Sequence, residues 1–158
     1  MRRSTPSSPA TPSWVDPDVR FVKAAAVLKT HGHLVVLSTP VVVPEDASQF
    51  WWDVQDDWIA VGAERVDPET KHPDLVDDFG SAVRAAELFE EPMVTRHRFD
   101  VTLTAAEYAT NLSTQSGVKE LPEARAELVR RIRRRVEVHG GTLTVHHLAA
   151  LTVAQRVP

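Results

Sequence analysis

The sequence predicts a mixed α/β domain that opens with a helix and closes with a strand, and three observations carry this prediction. Residues 34–37 form a continuous apolar run, which is typical of a buried strand. In the strand expected over residues 93–103, Phe99, Val101 and Leu103 alternate with polar residues, as in a half-buried strand. A third segment repeats apolar residues every four positions, as a helix with one buried face does: Ala124, Leu128, Ile132 and Val136. With 158 residues, 42% of them apolar, the chain has the size of one domain with a real core.

A helix and a strand open the folded part of the chain. Asp16 followed by Pro17 has the pattern of an N-cap and a first helical residue, so a helix is expected over residues 19–29. Gly32 is the expected stop of this helix. The strand of residues 33–39 follows directly, and Pro40 ends it. Since no polar residue interrupts its apolar run, we expect this strand to be buried on both faces.

The middle of the chain predicts further helices. Asp46 and Gln49 have the spacing of a capping box, which predicts a helix that ends near Gly62. A second helical region is expected over residues 73–88. The first of these helices carries three of the four tryptophans of the chain, and its apolar and aromatic residues at helical spacing are Phe50, Trp51, Val54, Trp58 and Val61.

The second half of the chain alternates strand, helix, helix and strand. Thr104 and Glu107 form a capping box after the strand of residues 93–103, so a short helix that contains Tyr108 begins there. Pro122 marks the start of the last helix, and Gly140 with Gly141 marks its end. Residues 142–157 are the expected last strand, with a bend or bulge at 147–150.

Composition excludes several classes of protein. Residues 1–13 contain nine Ser, Thr or Pro, so we expect a disordered tail of residues 1–13 and a folded domain of residues 14–158. The formal charge of −4 argues against a nucleic-acid binder, because such a partner demands excess positive charge. No cysteine is present, which excludes disulfides and thiolate zinc sites. No apolar run is long enough to span a membrane, and the expected location is the cytoplasm.

An arginine run and paired histidines invite functional interpretations, which we weigh against ordinary ones. Residues 120–139 contain six arginines and four glutamates, so a solvated helix face is favoured over a nucleic-acid stripe. His31 with His33, and His146 with His147, lack the third ligand that a metal site needs. We therefore predict no metal site.

Four aromatic residues are the candidate substrate-binding residues: Trp51, Trp52, Trp58 and Tyr108. Trp51 and Trp58 lie seven positions apart and share a helical face, so core packing is one interpretation. The other is an aromatic wall or lid over a small apolar or planar substrate. Spacing leaves both open.

Several segments, in this order, resemble one enzyme family. The turn Trp14-Val-Asp-Pro-Asp18, the helix after it and the strand of residues 33–39 resemble the end of strand four through strand five of class I S-adenosylmethionine-dependent methyltransferases. Residues 85–99 (AAELFEEPMVTRHRF), 121–132 (LPEARAELVRRI) and 146–157 (HHLAALTVAQRV) resemble later segments of its small-molecule branch, the trans-aconitate and ubiquinone-biosynthesis type.

The resemblance implies the C-terminal half of a Rossmann-like methyltransferase sheet: strands five to seven with flanking helices, the last strand antiparallel. It implies S-adenosylmethionine as cofactor and a small-molecule substrate. By position it places Trp14 at the cofactor pocket, and Trp51, Trp52, Trp58 and Tyr108 where substrate is covered.

The sequence departs from the family in its cofactor site. The six glycines form no Gly-x-Gly loop between a strand and a helix, and the family's glycine-rich loop is absent. We therefore expect a methyltransferase-like chain that is not catalytic alone. The strand of residues 34–38 would then pair with a complementary methyltransferase half or with a second copy. The alternative is a non-catalytic dimerisation or interaction module derived from a methyltransferase.

Overall fold

The described part of the chain is a mixed α/β fold built on an antiparallel sheet. A computed structural model describes residues 19–63, 65, 67–115, 118, 121 and 123–158. Within them the sheet has four strands: β1 His33–Ser38, β2 Val41–Val42, β3 Met93–Thr104 and β4 Thr142–Gln155. The helices are α1 Arg20–Val27, α2 Phe50–Asp53, α3 Gln55–Ala60, α4 Gly80–Ala85, α5 Ala105–Thr114 and α6 Arg125–Val138, and a 3₁₀ helix covers Pro68–Lys71.

The last strand, β4, is the centre of the sheet. β3 pairs with it along twelve residues, from Met93 opposite Val153 to Thr104 opposite Thr142. β1 and β2 pair with its other edge. All of these pairings are antiparallel, so β1 and β3 run in the same direction on either side of β4. The predicted antiparallel orientation of the last strand is therefore confirmed.

β1 and β2 form one interrupted strand. Ser38 lies opposite Ala150 and Val41 opposite His147, so the register is the same on both sides of the interruption. Pro40 has no N–H to donate to the ladder, which explains the break. Its carbonyl still accepts a hydrogen bond from the Leu148 N–H at 3.1 Å.

Two hydrophobic cores lie on opposite faces of the sheet. Leu143 and Val145 of β4 face α2, α5 and α6, and this larger core includes the fully buried α6 residues Leu128, Ile132 and Val136. Ala154, further along β4, packs with Ala25 of α1 and Val83 of α4 in a smaller core. Because successive strand residues alternate faces, the two cores contact different residues of β4. The larger core covers odd-numbered residues near the start of the strand, and the smaller core covers an even-numbered residue near its end.

Two helix ends lie where capping residues in the sequence predict them. The Thr104 hydroxyl accepts from the Glu107 N–H, and the Glu107 carboxylate accepts from the Thr104 N–H at 2.8 Å, so this capping box is confirmed. Gly140 and Gly141 have φ values of 120° and 83° at the end of α6, as a left-handed stop requires. Pro122 lies outside the described residues, as do Asp16 and Pro17.

Three predictions about local structure are wrong. Gln49, and not Asp46, is the N-cap residue of α2, and no side chain caps that helix. The region 73–88 is helical only in α4, because Asp77 and Asp78 accept hydrogen bonds from the N–H groups of Phe79 and Gly80 and hold the preceding chain in turns. Of the bend or bulge expected at 147–150, the bulge is absent from the described ladder, since the β3–β4 register is continuous there.

The prediction that β1 is buried on both faces is also wrong. Val35 is 59% and Leu37 66% exposed, while their neighbours in the strand are half-buried or exposed. The helices of the larger core cover only the other end of this sheet face. A run of apolar residues indicates that a strand tends to be buried, but its actual burial depends on which elements pack against it.

Candidate functional site

The predicted aromatic residues lie in the larger core. Trp51 and Tyr108 are each 7% exposed. Both pack edge-to-face on Phe50, with ring centroids 5.6 Å and 6.1 Å from it. Trp52 and Trp58 are partly buried against the same core. The structure thus brings the four together as packing residues, and their contact with a substrate remains a prediction.

Trp14, the residue placed at a cofactor pocket by resemblance, lies outside the described residues.

Tyr108 is the one tyrosine of the chain, so its ionisation can be followed directly. Burial raises the pKa of its phenol well above the ordinary value of 10. Because the pKa is raised in the folded state, its contribution to stability is complete below pH 10 and is lost as the pH rises further. We expect absorbance at 295 nm to show phenolate only above pH 10, together with loss of the circular dichroism of the fold. In guanidinium the same titration should have its midpoint near 10, and an identical midpoint in the folded protein would contradict the burial.

The arginine run of α6 is largely neutralised within the chain. Its ion pairs are Arg130 and Arg131 with Glu127, Arg133 with Glu137, and Arg135 with Asp57. The last of these joins α6 to α3, and the buried Asp57 carboxylate raises the pKa of the Arg135 guanidinium by accepting its hydrogen bond. This arrangement is that of a solvated and internally paired helix face.

A surface pocket opens beyond the carboxyl end of β1, where the chain passes through β2 towards α2. We call it the β1-end pocket. Its volume is 410 Å³, within the range of small-molecule sites. Three segments line it: Val42, Pro44 and Asp46 after β1, Arg98, Phe99 and Asp100 of β3, and His146 and His147 of β4.

A carboxylate–imidazole pair lies in this pocket. Asp100 and His146 are register partners on β3 and β4, so their side chains lie on the same face of the sheet. Nδ1 of His146 is 2.8 Å from Oδ1 of Asp100. The neighbouring register pair, Phe99 and His147, stacks with ring centroids 5.1 Å apart and planes at 12°. Because successive strand residues alternate faces, the stacked pair lies on the opposite face of the sheet from Asp100 and His146, so the carboxylate–imidazole pair is the chemically distinctive feature of its face.

Sequence reasoning did not select Asp100 or Arg98, and it interpreted His146 and His147 as ordinary polar residues of a strand. Asp100 and His146 are 46 positions apart, a separation that is not characteristic of any motif. The alternation of β3 and β4 does place a polar residue of each strand on the same face of the sheet. Which residues then lie opposite one another is known only when the register is known.

A second feature is an uncovered apolar sheet face, which we call the open face. Val35, Val153 and Met93 form one row across β1, β4 and β3, and Leu37, Leu151 and Thr95 form the next. Val35, Leu37, Met93 and Leu151 are all classed as exposed large apolar residues. Within the described residues β1 pairs only with β4, so its other edge is free. Such a surface is typical of an interface.

The described residues do not fit S-adenosylmethionine. A dinucleotide-like cradle needs glycines between a strand and a helix, where the backbone approaches the ligand. Instead Gly62, Gly140 and Gly141 follow helices and have open space where a Cβ would stand. A Cβ on Gly80 would meet the Val94 side chain, and one on Gly32 the Lys29 carbonyl.

Comparison with known proteins gives no assignment, since no protein-family model and no curated protein matches this chain. No described helix is long and apolar enough to cross a membrane. No group of three or more described His, Cys, Asp or Glu residues could hold a metal ion.

Proposed function

We propose that this chain is the substrate-side half of a class I S-adenosylmethionine-dependent methyltransferase that acts on a small molecule in the cytoplasm. The observation that carries the proposal is the sheet, in which β1 and β3 run in one direction and the last strand lies antiparallel between them. This is the orientation that the resemblance implies for strands five to seven. The β1-end pocket, which follows β1 along the chain and is lined by mid-strand residues of β3 and β4, is the proposed place of the substrate.

The proposal requires a second unit that holds the cofactor, because the described residues do not. We propose that this unit docks along the free edge of β1, residues 34–38, and over the open face. A parallel neighbour on that edge would satisfy the unpaired backbone groups, and a helix above it would bury Val35 and Leu37.

The same surface favours a second candidate function, a non-catalytic dimerisation or interaction module. In that case the open face meets another copy of itself across a two-fold axis. The two candidates share the surface and differ in whether S-adenosylmethionine is ever bound.

Calorimetric titration separates them. The purified chain is titrated with S-adenosylmethionine and with S-adenosylhomocysteine, alone and after mixing with a class I methyltransferase fragment that carries the glycine-rich loop and strands one to four. The enzyme proposal expects no binding to the chain alone and binding to the mixture that exceeds the binding of the added fragment alone. A stable dimer of the chain with no gain in cofactor binding on mixing supports the module and contradicts the enzyme. Micromolar binding to the chain alone contradicts the division into two halves.

A further inference from the structure

We infer that His146 is a proton acceptor for a small molecule with an acidic hydroxyl bound in the β1-end pocket, and that Asp100 is its positioning residue. The inference rests on the register that brings a carboxylate and an imidazole into contact across β3 and β4. It does not depend on the proposed function, since it concerns proton transfer alone.

The contact with Asp100 determines which nitrogen of His146 is basic. An ionised carboxylate can only accept hydrogen bonds, so at 2.8 Å the Nδ1 atom must carry the proton and donate it. In the neutral imidazole the lone pair then lies on Nε2. Nε2 of His146 has no hydrogen-bond partner within the described ranges, and the side chain keeps 21% of its surface exposed in the pocket. A hydroxyl that enters the pocket can therefore donate to Nε2.

The charges around the pair favour an anionic product. Arg98 lines the same pocket and forms no ion pair with any described residue, so its guanidinium is free to face a developing oxyanion. The other titratable groups that line the pocket are Asp46, Asp100 and His147. Asp100 stabilises the imidazolium that forms when His146 takes the proton. Asp46 is exposed and repels an anion only through solvent.

The step is a simple proton transfer. The O–H bond of the bound molecule breaks, its electron pair stays on oxygen, and the proton forms an N–H bond at Nε2 of His146. The products are an oxyanion beside Arg98 and an imidazolium paired with Asp100.

The probe for this step is 4-nitrophenol, whose phenolate absorbs near 400 nm. It is titrated with the full chain at a pH equal to its own pKa, which is close to neutrality, so that about half of the free probe is phenolate and an ordinary imidazole is mostly neutral. Cationic partners lower the pKa of a bound acid by about one unit or more, so about nine-tenths of the bound probe should be phenolate. We expect H146Q to lose this gain, while H97Q, which changes an exposed histidine outside the pocket, keeps it.

A second readout tests Asp100. Long-range ¹H–¹⁵N spectra of the neutral protein should show His146 protonated at Nδ1, and D100N should lose that preference together with most of the phenolate gain. The same spectra show whether each variant is folded. The inference is overturned if the probe leaves the His146 nitrogens unshifted, if H146Q gives the same phenolate fraction as the unchanged chain, or if His146 carries its proton on Nε2.

Discussion

Ile132→Ala is expected to lower the free energy of unfolding by about 2–5 kcal/mol, the range measured when a buried Ile is cut to Ala. Ile132 is 0% exposed, and its neighbours Leu128 and Val136 on the same stripe of α6 are fully buried too. The substitution removes three methyl or methylene groups where α6 packs on β4, and packed neighbours fill such a cavity only in part. The whole free energy of unfolding of a domain is about 5–15 kcal/mol, so the loss is a large share of its stability.

Denaturant unfolding followed by tryptophan fluorescence measures this loss, since the chain has four tryptophans. Trp51 belongs to the same core as Ile132. The matched control is Val138→Ala on the same helix, where the side chain is 81% exposed and the expected change is within about 0.5 kcal/mol. If both variants lose the same small amount, the stripe on α6 does not form the core.

The parts of the fold that could be predicted are those that short-range chemistry determines. The Thr104–Glu107 capping box fixes the start of α5, and the Gly140–Gly141 pair fixes the end of α6. Both act within a few residues, so a sequence window contains the whole interaction. The turns before α4 are equally local, but there two aspartates compete with the helix for backbone N–H groups. Such competition produces no recurring spacing of residues from which the sequence could predict it.

The candidate site could not be predicted because it depends on register. Asp100 and His146 become a pair only when β4 lies beside β3 with Thr142 opposite Thr104. Shifting this register by one residue would place His147 beside Asp100 and turn His146 to the other face. Trp51 and Tyr108 lie in one core, and their burial depends on where α5 and α6 lie, which the sequence spacing does not determine.

β1 illustrates a third limit. Its apolar run predicted burial on both faces, yet Val35 and Leu37 are exposed in the described part of the chain. Exposed apolar patches of this kind are typical of interaction surfaces. This is the reason to test association through this strand.

Leu37→Lys is expected to weaken self-association of the chain by at least about tenfold. In a two-fold contact each Leu37 is buried once, and full burial of a leucine contributes about 1.5–3 kcal/mol, so two copies exceed the 1.4 kcal/mol of a tenfold change. A lysine also places a charge opposite its own symmetry mate, which is how natural sheets protect free edges. Sedimentation equilibrium over a concentration series measures the dissociation constant directly.

The matched control is Leu75→Lys, which makes the same change at a 70% exposed leucine outside the sheet. It should leave the association unchanged, because it alters the net charge as Leu37→Lys does but lies outside the open face. If both variants dissociate equally, the effect is one of charge and not of the open face. If the unchanged chain is monomeric at every concentration, copies do not pair through β1 and the proposed dimerisation module is contradicted. The experiment therefore tests self-association through β1, while the cofactor titration tests the proposed pairing with a second unit.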